Sequence, residues 1–459
     1  MKKSRAKVAR PTSKTKRTKK LSPLIIISLI IITLFVLAAT TYKIVELIIL
    51  NQKSTFPTLE ISLKDVPIEQ IDAGTKDIKY PGNTVTITTN DKNATYEDVE
   101  IKGRGNYTWM QLKKPYQIKF SKNTDLFDHS ATKKWVLLAD YLDPTHLRNS
   151  TAFFLADLID ENYAHQGNPI ELQIDHDYRG LYYIVKKIGV NKAGVNLKNE
   201  DSILIELDNS YGKNEDCLYD IKSNCYIVKD IVNEDYTDQA LENFLSSLNK
   251  VYDAIKEQDY QAISEIIDID SFAKYYLISE FTVNPDAYNS SFYMYQDGKD
   301  AKIYAGPVWD FDMALGNKYW VDNQMDSNKI HSPFESMVFK SYLINHSASH
   351  TSASSTIIYD LMDIPEFQSR VKEIYQQTLS GKDDELLDHI KNQANYIRDA
   401  ALRDQERWKL KTNFDDEVDY LIDWVAKRYD HFEQTYGANS SIAEPNLDPT
   451  PESQPLSEE

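Results

Sequence analysis

The stretch SSFYMYQDGKDAKIYAGPVWDFDMALGN, residues 290–317, breaks a run of helical sequence with what reads as a short hairpin. Two apolar runs meet at Asp297-Gly298, a turn-forming dipeptide, and Asp310 and Asp312 follow Trp309 at the end of the second run. Two positions apart on a strand, the two carboxylates share a face. Ionised carboxylates that close repel, so burial raises a pKa unless a cation intervenes. Glycoside hydrolysis sets its carboxyls about 5–9.5 Å apart, which strand neighbours reach only at the low end. A magnesium or manganese ion held through oxygen, with phosphate oxygens completing its shell, suits the spacing better. The plainer reading is a pair of solvated turn acids, and Pro307, Trp309 and Phe311 speak against it.

Asp286 lies upstream in NPDAYNSSFYMY, at the end of the helical segment SFAKYYLISEFTV. A carboxylate ahead of a metal-bearing hairpin is an arrangement phosphoryl transfer uses, one acid taking the hydroxyl proton and the other holding the metal. A helix-ending Asn-Pro-Asp turn is the simpler account. Positive charge for phosphate is concentrated in GRGNYTWMQLKKPYQIKF, with Arg104, Lys113, Lys114 and Lys119.

Either side of the hairpin the chain changes character. Residues 51–95 contain period-two stretches such as TVTITTN, and from 96 to about 230 strands and turns dominate. Asp143 and Pro144 read as the start of a helix carrying Leu147, Phe154, Leu155, Leu158 and Ile159. PIELQIDHDYRGLYYIVKKI reads as a hairpin with Asp177 and Gly180 bracketing its turn, and SILIELDN as a strand with Glu206 and Asp208 on one face. After 230 the pattern is helical, and 356–436 is nearly all helix. The expected class is therefore α+β.

The first 20 residues hold ten Lys and Arg and no acid, and residues 24–42 form an uncharged apolar run. That run is long enough to span a bilayer. The basic arm, residues 1–23, then stays cytoplasmic and the rest is exported, giving a single-pass membrane protein with an extracellular main domain. Residues 43–95 form a juxtamembrane segment with leading strands, and 438–459 an acidic tail with the composition of disorder. Taking the arm's +10 from the net charge of −18 leaves −28, which argues against nucleic acid as a partner. Cys217 and Cys225 are spaced to close a hairpin as a disulfide. His346 and His350 lie in a Ser-rich stretch that reads as a loop, while Trp408, Trp424 and Arg428 read as packing residues.

IKGRGNYTW, KKPYQIKF, KWVLLADYLDPTHLRNSTAFFLA, YRGLYYIVKKI, ILIELD, DIDSFAKYYLISEFTVNPDAYNSSFYMY and GPVWDFDMALGN occur in that order between 96 and 437. The sequence resembles the CotH kinase family, the spore-coat protein H type. The resemblance implies an atypical protein-kinase-like, two-lobed fold, with a β-rich first lobe to about 230 and a helical second lobe. It also implies transfer of the ATP γ-phosphoryl to Ser or Thr of a protein substrate, with Mg or Mn. Carried over, Asp286 is the catalytic base, Asp310 a metal ligand and Asp312 a further metal or structural acid. Arg104 and Lys119, with Lys114 as alternative, are expected at the nucleotide. Two departures stand out: Lys186 replaces a glutamate usual in relatives, and Ser291 stands where an ordinary kinase loop wants its Asn, with Asn289 two earlier. Glu206 is the acid that would replace the lost glutamate. The rival expectations are an inactive surface scaffold and a metal-dependent hydrolase.

Overall fold

The computed structural model describes residues 56–438 apart from 91, 211–215, 319–331 and 335–356, together with the isolated positions 33 and 440. The chain divides into Met1–Thr55 and Phe56–Glu459, and every element described belongs to the second unit. The span expected at 24–42 lies outside the described residues apart from Thr33, as do the basic arm, His346, His350 and nearly all of the acidic tail. Among the described residues no helix is long and apolar enough to cross a membrane.

Seven strands close into a barrel in the order β1 (Thr58–Ser62), β2 (Tyr80–Thr88), β3 (Asn93–Gly103), β4 (Tyr116–Thr124), β5 (Thr132–Leu138), β7 (Asp177–Lys186), β6 (Gly167–Ile174). Neighbours are antiparallel except β1 and β6, whose parallel pairing closes the ring. Alternation builds it: Val99, Ile101, Ile118, Phe120, Trp135, Leu137, Leu172 and Ile184 fill the interior, and the intervening Lys102, Gln117, Lys119 and Lys134 face out. The leading strands β1 and β2 thus belong to the same closed body as β4 to β7. The β6–β7 turn sits at Asp175-His176, both at positive φ (50° and 66°), and Ile174 pairs with Asp177. Asp177 and Gly180 therefore lie within β7 and do not bracket the turn, because a two-residue turn of this hand matches the strand twist.

A second sheet runs β12 (Ile303–Ala305), β11 (Phe292–Gln296), β8 (Ile203–Leu207), β10 (Cys225–Ile231), β9 (Leu218–Tyr219). Its hairpin, β11–β12, comes from the helical half and pairs with β8 from the strand-rich half. The expected break near 230 therefore runs through a continuous sheet, and the observed class is mixed α+β. Cys217 and Cys225 are joined as a disulfide beside β9.

Helices α1 (Ile68–Ala73), α2 (Arg148–Leu158), α3 (Thr237–Lys256), α4 (Tyr260–Ile266), α5 (Ile269–Thr282), α6 (Ile357–Leu361), α7 (Pro365–Thr378), α8 (Asp383–Trp408) and α9 (Phe414–Tyr436) complete the described elements. All but α1 supply the second core, together with the sheet. The central one is α5, apolar on most sides with Phe272, Tyr276, Leu277, Ile278 and Phe281 buried. Asp268 caps its start by accepting from the Ser271 N–H at 2.9 Å. Buried Arg428 of α9 donates to the carbonyls of Phe281 (3.1 Å) and Glu280 at its end. The packing role expected of Arg428 is thus to hold the carboxyl end of α5, four residues ahead of Asp286.

Candidate active site

A cleft of about 530 Å³ opens where the barrel meets the second sheet. Its barrel wall is made by the end of β3. A Cβ on Gly103 would stand 2.5 Å from the Trp109 ring, so only glycine lets that ring lie on the strand. The chain then turns and sends Arg104 into the cleft, its guanidinium 5.1 Å from the Trp309 ring centre. Burial lowers the Arg104 pKa, and the charges of Tyr293, Asp310 and Glu206 oppose that loss.

Asp286 enters from the turn after α5, where Val283 adopts the left-handed conformation (φ 48°). Asn284 organises the turn: its Oδ1 accepts from the Asp286 N–H at 3.1 Å, and its Nδ2 donates to the Asp310 carbonyl at 3.0 Å. Half-buried in the cleft wall, the Asp286 carboxyl is pushed up to about 7 by burial and by the charges of Asp310 and Asp208. Ser290 donates to Asp208 at 3.0 Å, fixing the turn to the end of β8.

Asp310 and Asp312 share the cleft, though not as strand neighbours. β12 stops at Ala305, and Asp310 sits in a loop with φ 70°. The loop is pinned from the α2 side. Asn149 accepts from the Phe311 N–H at 2.9 Å and donates to Asp140 at 2.8 Å, and Arg148 Nε donates to the Ala314 carbonyl at 3.0 Å. Asn317 donates to Leu142 and Asp312 carbonyls at 2.9 and 2.6 Å. Burial raises the Asp310 carboxyl while Arg104 and a 3.4 Å bond from Ser291 hold it down. Buried Asp312 is raised well above the ordinary range by burial, then by Asp310, Asp140, Asp143 and Asp286. Ser291, at the position of the expected kinase Asn, thus serves Asp310.

The expected lysines part company. Lys113 is fully buried, 2.7 Å from Asp404 of α8, which also faces His146 at 3.2 Å. Lys114 donates to the Trp109 carbonyl at 2.6 Å and to Gln111 at 3.3 Å, tying its own turn. Lys119 lies on the outer face of β4 between Glu100 and Lys134. Neither Lys114 nor Lys119 lines the cleft, whereas Lys102, Lys187 and Lys229 do. Lys229 of β10 makes a 2.5 Å ion pair with Glu206 of β8.

A family model described as CotH kinase protein matches residues 101–432. The chain belongs to the CotH kinase family. The matched segment includes Arg104, Asp286, Asp310 and Asp312. No curated protein matches the chain.

Cleft residues of this CotH family member that the sequence reading missed include Asp140, Asn149, Lys187 and Lys229. Asp140 and Asn149 stand within LLADYLDPTHLRN, part of one of the motifs that carry the resemblance, and strand alternation puts Asp208 on the face of Glu206. Burial pushes Asp140 up to about 6. Asp143 caps the start of α2, receiving the Leu147 and Arg148 N–H groups at 3.1 and 2.9 Å, but the helix begins at Arg148, after a turn through His146 with φ 54°.

Among the described residues no group of three or more His, Cys, Asp or Glu is arranged as a metal site. The donor chemistry fits a hard divalent cation all the same. Burial first, and then the charge of Asp310, raises both Asp286 and Asp312, as expected of clustered carboxyl oxygens of the kind that hold such a cation.

Proposed function

We propose that the chain is an active CotH kinase that transfers the γ-phosphoryl group of ATP to Ser or Thr hydroxyls of a protein. The observation that carries this is the convergence of Asp286, Asp310 and Asp312 with Arg104 in one cleft, with Asp286 near 7, where a base is half-ionised at neutral pH. Asp286 takes the acceptor hydroxyl proton as the oxygen bonds to phosphorus and the γ-phosphorus–bridging oxygen bond breaks, releasing ADP. Asp310 and Asp312 are the residues that would hold Mg or Mn. A bound cation supplies charge neutralisation at the phosphate oxygens. Arg104, stacked on Trp309, is fixed for the same purpose. Lys229, held by Glu206, takes the phosphate role first expected of Lys119. The single-pass anchor at 24–42, with this domain outside the cell, belongs to the same proposal and rests on the sequence alone.

An inactive binding domain is the rival reading, favoured by the absence of Lys114 and Lys119 from the cleft. The full-length chain and its Asp310→Ala variant, incubated with γ-labelled ATP and Mg or Mn, separate the two. Label on Ser or Thr from the unaltered chain alone supports the kinase. A folded chain that binds no ATP with either metal ends it.

A further inference from the structure

A second cavity of about 300 Å³ lies beside the cleft and shares Lys187 and Ile188 with it. Lys186, Lys187 and Lys192 all line it, with Ser130 and His165, and no Asp or Glu among the described residues does. In a chain of net charge −18 this is a local reversal of sign.

Its geometry is preset. Lys186 donates to the Ala193 carbonyl at 2.7 Å and to Ser130 at 3.2 Å, which anchors loop 189–196 over the end of β7. Within that loop the Ala193 N–H donates to Asn191 at 2.9 Å and the Val195 N–H to the Gly189 carbonyl at 3.1 Å. Lys192 is left exposed at the rim. The groups offsetting these charges stand back: Asp125 acts on Lys186 and Asp230 on Lys187, and neither lines the cavity. Burial, Lys134 and Arg104 push Lys187 down to about 8, as expected of a cation short of counter-charge.

His165 supplies an independent sign of a missing ligand. It is 7% exposed, packs against Phe153 and Trp309 with ring centres 5.3 and 5.0 Å away, and its Nε2 is buried with no hydrogen-bond partner. Burial, then Lys186 and Arg104, hold it down to about 3, so the ring is neutral and can offer one N–H. An unpaired buried ring nitrogen costs free energy until a partner arrives, whether it carries the proton or the lone pair.

We infer that this cavity binds the phosphoryl group of an already phosphorylated residue on the acceptor protein, next to the hydroxyl presented to Asp286. A phosphoryl group carries about −1.5 to −2 charge and several acceptor oxygens, a better match than one carboxylate for three lysines gathered with no acid lining the same cavity among the described residues. Because Lys187 lines both cavities, a chain bound here continues into the cleft. The inference rests on the kinase reading for its substrate, but the anion site stands on the cavity alone.

The test uses the full-length chain. Binding of inorganic phosphate and of a phosphoserine peptide is measured by calorimetry on the unaltered chain and on Lys186→Ala/Lys192→Ala. Acceptor peptides with serine or phosphoserine beside the target serine are compared kinetically. The expected result is at least about tenfold weaker binding in the variant, and a KM advantage for the phosphorylated peptide that disappears there while kcat on the plain peptide is unchanged. Binding that the double substitution leaves unaltered, or that a non-hydrolysable ATP analogue displaces, overturns the inference. If the unaltered chain phosphorylates neither peptide, the kinase reading fails by itself, and the calorimetric comparison still decides the anion site.

Discussion

Replacing Asp286 by Asn should make the protein more stable and less active, and the gain in stability should depend on pH. The carboxyl moves from an ordinary 3.8 to about 7 in the fold, chiefly through burial, then through Asp310 and Asp208. At ~1.4 kcal/mol per pH unit that displacement corresponds to roughly 4 kcal/mol. The side chain is only half-buried, so water in the cleft leaves about 1–2 kcal/mol. Because the folded pKa is raised, the folded chain keeps a proton that the unfolded chain has already lost. The penalty is absent below pH 3.8, grows between 3.8 and about 7, and is complete above. Asn carries no such penalty. Calorimetric melting should place Asp286→Asn about 1–3 °C above the unaltered chain at pH 8 and nearly level with it near pH 4. Phosphoryl transfer should fall by about 10²–10⁴-fold, and kcat/KM of the unaltered chain should rise through a limb near pH 7. A variant that melts lower at pH 8, or a difference that pH does not change, would refute the assignment of Asp286 as a strained base.

Lys114→Ala and Lys119→Ala should each leave nucleotide affinity within about twofold, since neither lines the cleft, while Lys229→Ala should weaken it about tenfold or more; isothermal titration with ATP and Mg decides this. Lys113→Met strands Asp404 without its buried cation and should cost about 3–5 kcal/mol in chemical denaturation, far more than either neighbouring lysine. Asn149→Ala cuts the link between Asp140 and the Phe311 backbone. It should lower kcat by about tenfold or more at little cost in ATP affinity, as a displaced metal-binding loop would.

Much of this was open to a reader of the sequence, for reasons that differ by residue. Period-two patterns found the barrel strands and helical periodicity found α3, α5 and the final helices, because burial on one face leaves a local trace. Asp286, Asp310 and Asp312 announced themselves as acids among bulky apolar residues. The lysines did not sort themselves, since strand alternation says that Lys119 and Gln117 share a face but not how far along it the cleft extends. Lys113 was grouped with the cations for phosphate because its partner, Asp404, lies on a helix far down the chain. Lys229 reaches the cleft only because β10 pairs with β8, a non-local event with no local signature. The shared direction of Asp310 and Asp312 was inferred from a strand that ends too early; Asn149, Arg148 and Asn317 set it instead.

The closure of the barrel bears on how the protein can be cut. The family match starts at residue 101, yet β1 and β2 precede it, and β1 is the strand that bridges β2 to β6. Trimming to the matched segment would remove both and most of β3, leaving a four-stranded remnant whose outer strands, β4 and β6, have lost their partners. Unpaired edges of that kind recruit other chains, and Ile118 and Leu172, now interior, would face water. The segment matched by the family model is therefore shorter than the closed barrel, which begins with β1 at Thr58.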